Sequence, residues 1–288
     1  MRLVVVGAAG MLGRDVVLAA EGLGHEVIGL GHAQLDVTDP DAVDAAIAAA
    51  RPEAVVNCAA FTNVDDAEHR EAAAAKVNAE GASHVASAAR EAGAKVVYVS
   101  TDYVFDGRAT SPYVEGDEPA PLSAYGRTKL AGEVATSSAN PRSFVVRSAW
   151  LFGVGGPNFV DTMLRVAEEK GTATVVRDQV GSPTYTGHLA AAIMSLLEDE
   201  AYGVHHAAGR GSCSRYEFAR EIFDRAGVTC ELTPATSKTV RRSAPRPAFA
   251  PLLSERADGV TMPRWEEGLG IYLSERELPA RRLQKSAK

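Results

Sequence analysis

Short, uniformly apolar runs alternate with helical stretches through the first half of the chain. "LVVVG" (3–7), "HEVIGL" (25–30), "EAVVNCAA" (53–60), "AKVVYVST" (94–101) and "RSFVVRSAW" (142–150) are too short for ordinary helices. They also lack the two-residue alternation of a half-solvated sheet, so they read as strands buried on both faces. Between them, "MLGRDVVLAAEG" (11–22), the segment from "TDPDAVDAAI" and "REAAAAKVNAEGASHVASAAREAG" (70–93) have helical spacing, the last as one long helix. Asp39 or Thr38 supplies an N-cap there, with Pro40 at the first helical position. Another helix opens near Tyr125. Strands alternating with helices connect by right-handed crossovers. The predicted architecture is an α/β fold, a Rossmann-type doubly wound parallel sheet.

After Trp150 the rhythm breaks. "GPNFVDTMLRVAEEKG", "HLAAAIMSLLEDE" and "SRYEFAREIFDRAG" read as helices separated by proline-rich loops such as "SAPRPAFAPL". This predicts a dinucleotide-binding domain over 1–149, rejoined by 186–208, and a smaller C-terminal substrate-binding lobe from 150–185 and 209–288. The basic tail "PARRLQKSAK" has no periodicity and reads as a frayed end.

Composition narrows the function. A formal net charge of −7 argues against a nucleic-acid partner, which calls for a basic surface. No apolar run reaches membrane-spanning length, so no membrane partner is expected. The opening "MRLVVVGAAGMLG" passes directly into an amphipathic helix without a cleavage region, unlike a secretory leader. Cys58, Cys213 and Cys230 are odd in number and widely spaced, which suits a reducing cytoplasm and predicts neither a disulfide framework nor a zinc site.

Gly7, Gly10 and Gly13 follow a strand and open a helix. In that context glycines allow a tight turn and the close approach of a pyrophosphate to free helix N–H groups. Dinucleotide sites often carry an acid about 20 residues on, for the ribose 2′-hydroxyl. Here the second strand ends in Gly31 and His32, so the carboxylate that repels a 2′-phosphate is missing. This favours NADPH, or acceptance of both NADPH and NADH, with His32 or Arg14 toward the phosphate. Asp36 reads equally as an acceptor for the adenine amino group and as a loop cap.

"STDYVFDG" (100–107) ends the fourth strand at the edge where open parallel sheets bind ligands. It places Thr101, Asp102 and Tyr103 there. Tyr125 and Lys129, four residues apart, share one face of the next helix. Taken alone, such a pair is usually a solvated tyrosine beside a surface lysine. Behind a glycine loop, and with Thr101, it has a chemical purpose. A carbonyl receiving hydride needs a proton and stabilisation of its developing negative charge. A nearby ammonium and a bound nicotinamide cation would lower the phenol's pKa, and Lys129 would also reach the nicotinamide ribose.

The glycine loop, "STDYVFDG" and "SAYGRTKLAGE" resemble the extended short-chain dehydrogenase/reductases. With "RSAWLFG", "VRDQVGSPTYTGHLA" and "PRWEEGLGIYL" in matching order, nearly the whole chain resembles the dTDP-4-dehydrorhamnose reductase family. The resemblance implies that Gly10, Met11 and Leu12 hold the pyrophosphate, Asp36 and Val37 border adenine, and Ala59, Ala60 and Phe61 line the cofactor. It makes Tyr125 the proton donor, Lys129 its partner and Thr101 a hydrogen bond to the reacting oxygen. Thr101, Asp102, Tyr103, Trp150 and Arg246 would contact a nucleotide sugar. The implied reaction is NADPH-dependent reduction of a 4-keto-6-deoxysugar nucleotide.

Two departures stand out. Where the family reads R-P-x-N-S-x-L beside the substrate, Arg246, Pro247 and Leu252 match but Phe249 and Ala250 replace Asn and Ser. Some members also bind Mg²⁺ at a dimer interface through three acidic residues. The matching positions are Asp15, Gly187 and Glu266, so one ligand is missing. This argues against a Mg²⁺ site and weakens the case for that homodimer. A related reductase of secondary metabolism, such as one making dihydrostreptose, remains an alternative. So does a non-catalytic subunit like the regulatory subunit of methionine adenosyltransferase.

Overall fold

The computed structural model describes residues 1–285; of the tail expected to fray, 279–285 instead continue the last helix, and 286–288 lie outside the described residues. The chain opens with β1 (Arg2–Val6), α1 (Met11–Gly22), β2 (Glu26–Leu30), α2 (Pro40–Ala50) and β3 (Ala54–Asn57). Next come α3 (Val64–His69), α4 (Glu71–Ala75), a π-helical turn (Lys76–Glu80) and α5 (Gly81–Glu91). β4 (Lys95–Thr101) runs into a single 3₁₀ turn (Asp102–Val104), followed by α6 (Ala124–Ala139) and β5 (Ser143–Ser148). The second half holds β6 (Leu151–Phe152), α7 (Phe159–Lys170), β7 (Thr172–Val176), β8 (Val180–Gly181) and β9 (Thr184–Tyr185). It ends with α8 (Thr186–Leu197), β10 (Gly203–His206), β11 (Cys213–Ser214), α9 (Arg215–Ala226), β12 (Glu231–Ala235) and α10 (Trp265–Lys285).

Six parallel strands form the main sheet in the order β2-β1-β3-β4-β5-β10. Successive β1 residues serve two cores. Leu3 and Val5 pack with Val16 of α1 and Leu189 of α8, while Val4 and Val6 pack with Ile47 of α2 and Val85 of α5. That is why these runs are apolar without alternation. β2 departs from the expectation: as the edge strand it leaves Glu26 and Gly29 exposed. α8 lies on α1 and β10 pairs with β5, so residues 186–206 pack with the first half.

A second core gathers Phe152, Val160, Phe218, Trp265, Leu269 and Tyr272. Around it β7 pairs with β12 and β8 with β11, in ladders as short as two residues. Local chemistry fixes the helix ends. The Asp39 side chain, rather than Thr38, caps α2 by accepting from Ala42 N, and Ser123 caps α6 by accepting from Gly126 N. Ser214 and Glu217 form a reciprocal capping box on α9, which stops at Gly227 with φ 64°.

The helix expected over 70–93 runs without a break from Glu71 to Glu91, with a π turn inside it around Asn78 that the sequence reading did not include; Arg70 separates it from α3. The extra residue turns the Asn78 side chain inward, where it is fully buried and bonded through both its oxygen and its nitrogen. It accepts from Phe61 N (2.8 Å) and donates to Phe61 O (3.2 Å) and Thr128 Oγ1 (3.0 Å). A π turn of this kind is characteristic of functional regions.

Candidate active site

The sheet order reverses at β1, so a crevice opens beyond the carboxyl ends of β1 and β3, the usual ligand position in such sheets. Gly7 turns the chain there with φ 77°, and a Cβ on it would lie 2.7 Å from Ala59 N. A Cβ on Gly13 would overlap the Gly7 carbonyl oxygen. Gly10 is the N-cap of α1 and offers no side-chain cap, leaving the helix N–H groups of Met11 and Leu12 for an external anion. A cavity of about 480 Å³ lies against this turn, lined by Gly7, Gly10, His32, Asp36, Val37, Ala59, Ala60 and Phe61 among others. Eight of the residues expected around a dinucleotide therefore meet at one cavity. The glycine cradle and the open helix end fit a dinucleotide's pyrophosphate.

Within this crevice Asp36 caps its own loop. One oxygen accepts from Thr38 N (2.9 Å) and Thr38 Oγ1 (2.8 Å), which holds the carboxyl below its ordinary range, and the side chain still lines the cavity. His32 is exposed at the cavity edge. The Arg14 side chain lies close to Gly155 in the β6–α7 loop. Gly31 does not adopt a positive φ.

Ser123 starts α6 so that Tyr125 and Lys129 face β4. Thr101, at the end of β4, donates to Asp102 Oδ1 (3.0 Å) and accepts from Tyr103 N (3.2 Å). The Tyr125 and Tyr103 rings meet edge to face at 5.5 Å. Tyr125 and Phe61 pack on the same cluster of Ala67, Ala74 and Ala124. Burial pushes the Tyr125 phenol well above its ordinary range, with the Thr101 hydroxyl opposing the rise. The expected lowering by Lys129 is absent from this arrangement. Lys129 is buried, donates from Nζ to Val99 O (2.7 Å), and lies over the Tyr98 ring at 3.9 Å. It does not line the cavity at the glycine turn. Burial lowers its pKa to about 7, opposed chiefly by the Glu133 carboxylate.

Beyond Tyr103 lies a second cavity of about 560 Å³, between the main sheet and the smaller lobe. Tyr103, Trp150 and Arg246 line it, together with Asn158, Phe159, Gln179, Arg215 and Arg242. Thr101 and Asp102 lie behind Tyr103 and do not line it. Trp150 holds a left-handed φ of 48°, a strained conformation for a bulky residue. One face of its indole carries the Arg215 guanidinium, 3.5 Å from the ring centroid. Gly181 packs against the indole edge, where a Cβ would come within 2.5 Å. Arg246 makes a bidentate pair with Asp65 (2.7 and 2.9 Å). That hydrogen bonding holds the Asp65 carboxyl down at about 2. Burial raises the Asp102 carboxyl to about 7, opposed by Thr101 and Arg215.

The Phe249–Ala250 departure falls away from this cavity. Phe249 N donates to Gly107 O (3.1 Å) and Ala250 N to Val180 O (2.9 Å), while the Ala250 methyl fills the cluster of Phe105 and Tyr113. Among the positions matched to metal ligands, Glu266 pairs with Arg264 (2.8 Å), and the carboxylate that acts on Asp15 is Glu275. Asp15 accepts from Thr186 Oγ1, and burial is the main cause of its raised pKa. No group of three or more metal-ligating side chains occurs among the described residues. No helix of the described residues is long and apolar enough to cross a membrane.

Asn78, Gln179, Arg215 and Arg242 escaped the sequence reading. Asn78 left a faint signal, an amide at a helical position with apolar neighbours. The arginines left none: "SRYEFA" only opens a predicted helix, and "TVRRSA" carries no motif.

Comparison with known proteins agrees with this geometry. The RmlD substrate binding domain family matches residues 1–277. The chain is 46% identical over 262 residues to a probable dTDP-4,6-dihydroxy-2-methyloxan-3-one 4-ketoreductase of Streptomyces antibioticus, covering 90% of this chain and 89% of that one. It is 43% identical over 275 residues to the dTDP-4-dehydrorhamnose reductase of Mycolicibacterium smegmatis, covering 93% and 84%. The crystal structure of dTDP-4-dehydrorhamnose reductase from Bacillus anthracis in complex with NADP superposes with a TM-score of 0.92 at 37% identity, covering 95% and 99%. The chain thus belongs to the dTDP-4-dehydrorhamnose reductase family, NAD(P)H-dependent oxidoreductases that act on dTDP-4-keto-6-deoxysugars.

Proposed function

We propose that this chain reduces the 4-keto group of dTDP-4-dehydro-L-rhamnose to dTDP-L-rhamnose with NADPH, in the cytoplasm. The observation that carries the reading is the position of Tyr125. It contacts Tyr103, which lines the larger cavity, and shares an alanine cluster with Phe61, which lines the dinucleotide cavity. A phenol there stands between a bound cofactor and a bound sugar.

In this reading residues 1–149 with 186–208 hold the cofactor, and 150–185 with 209–288 hold the nucleotide sugar. Gly7, Gly10, Met11, Leu12 and Gly13 receive the pyrophosphate, and Asp36, Val37, Ala59, Ala60 and Phe61 line the adenine and nicotinamide ends. The nicotinamide, when bound, supplies the hydride. Tyr125 gives its proton to the oxygen that becomes the 4-hydroxyl, and Thr101, by turning its one hydroxyl proton away from Asp102 Oδ1, donates a hydrogen bond to the same oxygen. Burial keeps the phenol protonated at neutral pH, which suits a donor in the reductive direction. Lys129 stays anchored on Val99 O and turns its remaining protons toward the ribose. Tyr103, Trp150 and Arg246 form the wall for the sugar nucleotide.

A second reading, a reductase of another dTDP-4-keto sugar, draws on the Streptomyces antibioticus relative's name. The two are separated by initial rates of NADPH oxidation with dTDP-4-dehydro-L-rhamnose and with dTDP-4-keto-6-deoxy-D-glucose. Preference for the first supports the proposal. Turnover confined to the second overturns the rhamnose assignment and leaves the reductase chemistry standing.

A further inference from the structure

We propose that Arg215 is a specificity-determining residue of the larger cavity: its guanidinium, stacked on Trp150 and free of protein hydrogen bonds, holds the diphosphate of the nucleotide sugar. The inference rests on the reading of that cavity as the nucleotide-sugar site.

Three arginines line the cavity, and they differ in what they are bonded to. Arg246 takes Asp65 in a bidentate pair, and Arg242 lies 3.7 Å from the same carboxylate. Arg215 has no ion pair and no side-chain hydrogen bond among the described residues. It is nevertheless held firmly. Its guanidinium lies 3.5 Å from the Trp150 centroid and 4.9 Å from that of Phe159. Stacking on aromatic faces fixes the plane of a guanidinium and leaves its N–H edges unsatisfied. Those edges border the cavity.

Helix stability does not account for this residue. Arg215 is the first residue of α9, where the helix dipole is positive and disfavours a cation. The cap is already completed by Ser214 and Glu217. Burial lowers the Arg215 pKa to about 10, which leaves it charged at neutral pH. An anion bound in the cavity would supply compensating charge at the open N–H edges. Asp102 acts on Arg215 electrostatically, but its own carboxyl is raised to about 7 and is only partly ionised near neutral pH. Planar, two-pronged donation is the arrangement that matches phosphate oxygens, and a diphosphate presents two such groups.

The test is titration calorimetry of the full chain with dTDP, dTMP and thymidine, for wild type, Arg215→Met and Arg215→Lys. NADPH binding and a thermal melt report on folding. The expected result is that Arg215→Met weakens dTDP binding by about 10- to 100-fold, as expected for losing a charge-assisted clamp. Thymidine and NADPH binding stay within about threefold, and Arg215→Lys recovers part of the loss, since a point charge lacks the fork. With sugar substrate, KM rises while kcat changes little. Unchanged dTDP affinity in a folded Arg215→Met overturns the assignment, as does a loss equal for dTDP and thymidine. Unchanged dTDP affinity with a raised sugar-substrate KM assigns Arg215 to the hexose and also overturns it. If wild type binds no dTDP at all, it is the nucleotide-sugar reading that fails.

Discussion

Replacing Glu133 by Gln removes one negative charge from the buried base of the active site. Glu133 and Arg147 are each about 5% exposed and joined twice, Arg147 Nε to Oε1 at 2.9 Å and Nη2 to Oε2 at 2.7 Å. Ser100 donates to the same carboxylate, and the guanidinium lies over Phe105. Glutamine offers one oxygen where two were used and sets its own donors against those of Arg147. Breaking a buried pair so that one charge stays uncompensated destabilises by about 3–5 kcal/mol. At about 2–4 °C per kcal/mol for a chain near this size, the melting temperature falls by roughly 6–20 °C.

The same substitution acts on Lys129. Glu133 is the leading group that opposes the burial-driven fall of the Lys129 pKa from 10.5 to about 7. Between these values the unfolded chain binds more protons than the folded one, so this lysine's contribution to stability rises with pH across the window. Without Glu133 the folded pKa drops further and the window extends below 7. The variant's deficit therefore widens as the pH falls through about 7. Urea unfolding at pH 6, 7 and 8 measures both effects. Adding Arg147→Met to Glu133→Gln should recover much of the loss, because an apolar replacement removes the orphaned charge. A loss below about 1 kcal/mol, or a double variant weaker than the single, would refute the argument from the buried pair.

Three further outcomes are expected. Tyr125→Phe lowers kcat by roughly 10²- to 10⁴-fold, the range for a positioned acid, while NADPH affinity stays within a few-fold; activity near wild type excludes Tyr125 as the donor. Gly31→Asp shifts the kcat/KM ratio toward NADH by about tenfold or more, through repulsion of a 2′-phosphate. The backbone there accepts a side chain, and the new Cβ would come 2.9 Å from the movable Gln34 amide oxygen and 3.1 Å from the Ala9 methyl; a folded variant with an unchanged ratio means the ribose is read elsewhere. Asp102, raised from 3.8 to about 7, binds more protons folded than unfolded in that interval, so wild-type stability from this group is lost as pH rises through it. Asp102→Asn should therefore gain on wild type between pH 4 and 7 in chemical denaturation, and a constant difference would contradict the shift.

Much of the first half was legible because its signals are local. A buried parallel strand must be apolar throughout, and Gly7 and Gly13 are required where backbone meets backbone, so "LVVVGAAGMLG" shows both strand and cradle. Tyr125 and Lys129 were legible as a pair, since four residues make one helical turn. Their electrostatics were not, because the Lys129 environment is set by Val99 O, Tyr98 and Glu133, from β4 and α6 together. The smaller lobe was largely illegible. Its strands are two to five residues long, and their partners lie far along the chain, as in β7 with β12. Arg215 illustrates the limit: "SRYEFA" reads only as the start of a helix, and only the fold brings Trp150, some 65 residues earlier, beneath the guanidinium.

The most direct measurement is deuterium transfer from 4-deuterated NADPH to dTDP-4-dehydro-L-rhamnose, followed by mass spectrometry and NMR of the sugar. The account predicts one deuterium at C4 of dTDP-L-rhamnose from the wild-type chain, formed one for one with oxidised cofactor, and a rate lost in Tyr125→Phe. Product without label at C4, or equal rates in the two proteins, would contradict reduction by hydride with Tyr125 as the proton donor.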